Sequence, residues 1–304
     1  MRALAAFLLA LVAAPPATAD ESRYAELARQ EARIAAVAYR LTTGSARWCP
    51  VAAPQPGWIL SDLRRIDAKD RTAAADVYGA PDAPFVAAVA PGSAAERAGL
   101  ARGMGIAAID GKTVPVLGDG ATVRIDAVIV MLNALAPAAA WTLTDSTGRT
   151  YRIDPAPGCA SAFRVERDGV QAAANGQLVR LRLDLAQSIA DDQELAAVAA
   201  HELAHNILRH RARLGGDRSA RRVRQTELEA DRLSVWLLAD AGYEPAAAVR
   251  FWNRHKRPLI RAATHPPRSE RIAAIEGEIA AMQAARAVDP VAMPAWATKP
   301  PPLE

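Results

Sequence analysis

Apolar and polar positions alternate in three textures along the chain. Over residues 21–42, Tyr24, Leu27, Ile34, Val37 and Leu41 recur at helical steps, with Ala28, Ala35 and Ala38 in the same stripe; this predicts a helix interrupted on its apolar face by Glu31. Pro50, Pro54, Pro56 and Gly57 then break the chain into a loop. From about Tyr78 to Pro157 the runs are short. Phe85–Val89 reads as a strand, Ile106–Ile109 as a second strand ending at an Asp110-Gly111 turn, and Ile125–Leu135 as a helix. Trp141–Thr144 and Arg149–Ile153 form a hairpin around Asp145–Gly148, which completes a small α+β module.

From Cys159 onward the pattern is mostly helical. After an Asn175-Gly176 turn, the alternation over Leu178–Leu185 predicts a half-buried strand, the candidate edge for pairing with an extended substrate. Asp191 with Glu194 opens a helix that runs to about Arg213 and ends at Gly215-Gly216. Further helices are expected over Arg224–Ala241, stopped by Gly242 with Pro245 beyond, over Ala246–His255, and from near Pro267 past Ala280. The tail from Ala287, with its five prolines, reads as extended or loose.

Composition narrows the function classes. The 304 residues are 51% hydrophobic and 23% charged, enough for a substantial core and unlike a disordered chain. With 37 basic against 33 acidic residues the net charge is only +4, and no finger-type cysteine set or aromatic-basic interleaving occurs, which argues against nucleic acid as a partner. Residues 1–19 read as a secretory signal: Arg2, the apolar run Ala3–Ala14, and a small-residue cleavage site at Ala17-Thr18-Ala19. The competing reading, a short membrane anchor, meets an apolar run below the roughly 20 residues needed to span a bilayer. The mature chain is therefore expected to be soluble and exported, to the periplasm or outside the cell. In that oxidising setting the two cysteines, Cys49 and Cys159, are expected to form a disulfide.

The middle module carries a recognisable phrase. A strand is followed by Pro91-Gly92-Ser93-Ala94-Ala95, then Ala98-Gly99-Leu100, a second strand and Asp110-Gly111. This order resembles a bacterial PDZ domain, and the resemblance implies a peptide-binding groove. Tyr78-Gly79-Ala80 is the candidate loop for the peptide carboxylate.

Chemistry concentrates in the helix opened at Asp191, which contains His201-Glu202-Leu203-Ala204-His205. Histidines four apart differ by about 40° around a helix, so both imidazoles can reach one Zn²⁺. Glu202, about 100° from His201, can act as the base for a zinc-activated water. The flanks are apolar or small, so a solvated His-Glu-His surface is the weaker reading. His210, nine residues after His201, would lie about 180° away on a continuous helix and is set aside as a ligand. The metzincin pattern is ruled out because Leu208 and Arg211 stand where it needs Gly and His.

The next helix offers Glu227-Leu228-Glu229-Ala230-Asp231. Glu227 and Asp231 share a face, so one carboxylate can bind the metal and the other can hold the ring N–H of a ligand histidine. Glu229 as ligand, with Glu227 solvated, is the other arrangement. His201-Glu202-x-x-His205 followed by Glu227-x-x-x-Asp231, Ala241-Gly242-Tyr243-Glu244-Pro245 and Thr264-His265-Pro266…Arg271 resembles peptidase family M48, the HtpX-like and CaaX-prenyl-protease-like gluzincins. That resemblance implies Glu227 as third ligand and one zinc ion per chain. It places His265 near the open zinc position, as oxyanion stabiliser or as a latch; helix-start punctuation is the bland alternative. Arg271 either pairs with a carboxylate of the site or is a solvated helix charge. The arginine run from Arg209 to Arg224 is read as a solvated loop, with a basic lid toward acidic substrate or membrane as the alternative.

The expected fold is therefore α+β: a mainly helical zincin-type metallopeptidase domain with an inserted PDZ-like domain. The expected divisions are 1–19 signal, 20–77 N-terminal helix and loop, 78–157 PDZ-like domain, 158–286 metallopeptidase, and 287–304 proline-rich tail. The expected function is zinc-dependent cleavage of polypeptides, misfolded or envelope proteins among them, without a transmembrane segment. Peripheral membrane contact and oligomeric state stay open. A latched, chaperone-like binding protein is the competing class, and the intact Glu202 favours the enzyme.

Overall fold

The computed structural model describes residues 19–115, 120–255 and 265–303. All of the expected signal except Ala19 lies outside the described residues, as does Thr264. The chain opens with helix α1 (Ala19–Gly44), strands β1 (Ala52–Gln55) and β2 (Trp58–Ser61), and helix α2 (Arg71–Tyr78). Next come β3 (Phe85–Val89), α3 (Ala94–Arg97), β4 (Ile106–Ile109), β5 (Lys112–Thr113), α4 (Val123–Asn133), β6 (Trp141–Asp145) and β7 (Thr150–Ile153). The C-terminal half begins with strands β8 (Ala156–Cys159), β9 (Ala162–Glu166), β10 (Ala172–Ala174) and β11 (Leu178–Arg182). Seven helices follow: α5 (Leu183–Ser188), α6 (Asp192–Ile207), α7 (His210–Leu214), α8 (Ala220–Asp240), α9 (Ala247–Arg254), α10 (Arg268–Val288) and α11 (Ala295–Thr298). The mixture of helix and strand is that of an α+β protein.

Two hydrophobic cores organise these elements. The first forms around α1, whose stripe of Tyr24, Leu27, Ile34, Val37 and Leu41 is buried against α6 and α8 through residues such as Leu203, Ala204 and Trp236. The second lies between α4 and the sheet β5-β4-β6-β7, and holds Ile106, Ile109, Ile125, Trp141, Leu143 and Ile153. Strand β3 divides them: Phe85 and Ala87 face the first core and Val86 the second, as the twofold alternation of a strand requires. Its partner β2 pairs with it antiparallel. The stretch from Pro50 to Gly57, expected to be loop, thus contains strand β1, and β2 begins directly after it. Pro54 is tolerated because β1 pairs only with β8, in a two-stranded ladder where it opposes Pro157. The Cys49–Cys159 disulfide is formed at the end of that ladder, with Cα atoms 5.2 Å apart.

Within the second unit, Ser93 caps α3 by accepting from Glu96 N, and Glu96 Oε2 accepts from Gly92 N at 2.7 Å. Asp110 and Gly111 both take positive φ, the backbone that a two-residue hairpin demands. Tyr78-Gly79-Ala80 is not an open loop for a carboxylate. Tyr78 ends α2, is buried, and donates its hydroxyl to Glu31 Oε2 at 2.6 Å. Glu31, the interruption in the α1 stripe, is fully buried; burial pushes its carboxyl up to about 7, against the opposing pull of the Tyr78 hydroxyl.

Three other expectations change. The strand expected over Leu178–Leu185 ends at Arg182, and Leu183–Leu185 begin α5. β11 is also not an edge: it lies between β9, to which it is parallel, and β10, to which it is antiparallel, so among the described residues β9 and β10 are the edges of this sheet. The tail is docked rather than loose, because Pro301 O accepts from Arg213 Nη2 at 2.7 Å and the Arg232 guanidinium covers the Trp296 ring.

Candidate metal centre

Helix α6 starts at Asp191, whose carboxylate accepts from Gln193 N, and its Leu195, Ala199, Ala200 and Leu203 are fully buried. This packing directs His201 and His205 into a cleft of about 1330 Å³ bounded by β10, α6, α8, α9 and the start of α10. The two Nε2 atoms stand 3.2 Å apart. Glu227, one side of α8, brings Oε2 to 3.4 Å from His201 Nε2 and Oε1 to 3.5 Å from His205 Nε2. One donor atom from each of the three residues lies within 4.8 Å of the others.

The other ring nitrogens are already committed. His201 Nδ1 is 3.0 Å from Asp231 Oδ1, and His205 Nδ1 is 2.8 Å from His210 Nδ1. Each ring therefore turns its Nε2 toward the carboxylate of Glu227. Two imidazole nitrogens and a carboxylate oxygen facing one point are a donor set that could hold a cation, and their chemistry suits Zn²⁺. Burial and the nearby Arg271 push the His201 pKa down, yet hydrogen bonds to Asp231 and Glu227 outweigh them and hold the ring at about 9. Burial opposes the charge on Glu227, but the surrounding imidazoles and Arg271 hold its carboxylate well below the usual range.

Each expected site residue can be located in this frame. Glu202 is buried at the cleft wall; burial pushes its carboxyl up to about 7, and among the described residues it makes no hydrogen bond. Asp231 meets the His201 ring and receives both Arg271 Nε (2.6 Å) and Nη2 (2.7 Å). Arg271 is no solvated charge: its side chain is 5% exposed, lies 3.5 Å from Glu227 Oε2 and stacks over Trp252. His265 Nε2 is 3.6 Å from Glu227 Oε1. In the arginine run, Arg213 pairs with Glu229 and Arg222 with Asp217, while Arg211, Arg218 and Arg224 border the cleft.

The sequence pattern missed two residues. Helix α6 ends at Ile207, and Arg209 takes a left-handed φ of 53° before α7 begins. The break returns His210 beneath the site rather than on the far side of a continuous helix. There its Nε2 is 3.1 Å from Glu229 Oε2. Glu229, weighed earlier as a ligand, is instead a buried partner of His210 and Arg213. No glycine or proline marks the break, so helical phase alone could not have found it.

No curated protein matches the chain. Residues 218–279, which include Glu227, Asp231, His265 and Arg271, match the family model of Peptidase family M48, so this segment is similar to that metallopeptidase family, and the His201–His205–Glu227 cluster could hold a metal ion.

Proposed function

We propose that the chain is an exported zinc endopeptidase that hydrolyses peptide bonds of polypeptide substrates in the periplasm or outside the cell. The observation that carries the proposal is the convergence of His201, His205 and Glu227 on one point, with the Glu202 carboxylate, which makes no hydrogen bond among the described residues, in the same cleft. One zinc ion per chain would be held by those three ligands, and when bound it supplies Lewis acidity for a carbonyl and a more acidic water. Glu202, with its pKa near neutrality, takes a proton from the attacking water and returns it to the leaving amine. Asp231 and Arg271 keep His201 oriented, and His265, close to Glu227, contacts the substrate carbonyl.

Strand β10, an edge of its sheet, lines the same cleft, so an extended peptide can add as a strand there, a role first expected of Leu178–Leu185. Residues 78–157 are assigned as a PDZ-like unit that helps recruit substrate. The space between β2 and α4 is shared with Tyr39, Thr42 and Phe163, so a peptide held there would also touch the peptidase body. Among the described residues no helix is long and apolar enough to cross a membrane, and the disulfide suits an oxidising compartment.

The test is Glu202→Gln. The variant is expected to keep zinc and fold while losing at least a hundredfold in cleavage of an unfolded protein substrate. Equal processing of the same substrate panel by wild type and variant would refute the enzyme reading.

A further inference from the structure

His205 gives its second ring nitrogen to an unusual acceptor. The partner is another imidazole, His210, at 2.8 Å Nδ1 to Nδ1. With Nε2 of His205 turned to the site, its Nδ1–H donates to His210 Nδ1, and the Nε2–H of His210 then donates to Glu229 Oε2 at 3.1 Å. The sequence of donors allows only this order, because a neutral imidazole has one N–H and one lone pair. His210 and Glu229 are 2% and 6% exposed, so neither can trade the contact for water without opening the fold.

The outer end of this line is also held. Arg213 donates to Glu229 and to Pro301 O, and Gln225 Nε2 donates to Glu229 Oε1 and to Pro302 O, both at 3.2 Å. Two side chains thus tie the buried carboxylate to the docked C-terminal segment. The geometry that makes this possible requires Arg209 in a left-handed conformation, which is strained for a non-glycine residue. A strained break that serves only to end a helix would not need a histidine aimed back at a ligand ring.

We infer that His210 is a positioning residue: through Glu229 and Arg213 it fixes the ring of His205 so that Nε2 faces the metal. This rests on the reading that His201, His205 and Glu227 bind zinc, and the test separates the two. It compares the full-length wild type with His210→Leu, His210→Gln and Arg213→Met, measuring zinc affinity by chelator competition and the rise in Tm on adding zinc.

His210→Leu is expected to weaken zinc binding about 10–100-fold and to shrink the zinc-dependent rise in Tm. His210→Gln, which keeps an acceptor and a donor, is expected to recover part of that loss. Arg213→Met, farther from the ligand, is expected to show a smaller loss of the same sign, and it carries the test if His210→Leu does not fold. A purely structural role would lower the Tm of zinc-free and zinc-loaded protein equally and leave affinity untouched. Unchanged zinc affinity in the folded variants would overturn the inference. Failure of the wild type itself to bind stoichiometric zinc would instead overturn the function proposed above.

Discussion

Replacing Arg271 with methionine tests how much of the candidate metal centre is held together by one buried cation. Arg271 donates twice to Asp231, at 2.6 and 2.7 Å, and the two side chains are 5% and 2% exposed. It also lies 3.5 Å from Glu227 Oε2. Removing one partner of a buried pair leaves the other charge uncompensated and costs about 3–5 kcal/mol. Against a typical total stability of about 5–15 kcal/mol, that is about a fifth or more of the folded-state margin. Methionine keeps a flexible apolar stem against Trp252, so the loss reports charge and hydrogen bonding more than packing. Arg271→Lys keeps the charge without the planar fork and should fall in between. Urea denaturation of each variant in chelator, and again with zinc, measures the cost. Zinc should offset part of it, since a bound cation compensates Glu227 but not Asp231. A loss below about 1 kcal/mol without zinc would place the pair with exposed salt bridges and refute the argument.

Glu31 gives a pH dependence remote from the metal centre. Its carboxyl sits at about 7 in the folded chain against an ordinary 4.5, so the native state binds the extra proton between those values. This contribution to stability is complete below about pH 4.5, declines as pH rises to about 7, and totals about 3 kcal/mol. Glu31→Gln should remove that slope and be more stable than wild type at pH 8, as urea midpoints at pH 5 and 8 would record; an unchanged slope would count against it. Arg209→Gly should leave stability unchanged or raise it by up to about 1 kcal/mol, because glycine adopts a positive φ without a steric cost. Arg209→Val should lower it by about 1–2 kcal/mol, and equal melting temperatures for the two variants would argue that the turn carries no strain.

Much of the candidate metal centre was legible in the sequence because helical phase is a local property. The spacing of His201 and His205, and that of Glu227 and Asp231, places each pair on one face of its own helix, and the structure brings those faces together. The α1 stripe was equally legible, while the buried role of Glu31 was not, since Tyr78 reaches it from α2 across 47 positions. The edge strand was misassigned for a related reason. Alternation in Leu178–Arg182 reports a strand, but whether that strand is central or at an edge depends on β9 and β10 pairing with it.

Local chemistry in the sequence determined which residues can bind a metal, move a proton or cap a helix, because these follow from side-chain type and a fixed rise and turn per residue. Only the tertiary structure decided what surrounds them. It broke α6 at Arg209 without a glycine or proline to announce it, turned His210 and Glu229 from bystanders into a buried line behind His205, and laid the proline-rich tail across Arg213 and Gln225. Those outcomes depend on burial and on partners far apart in the chain, where the cost of an unpaired polar group outweighs the preference of any short segment.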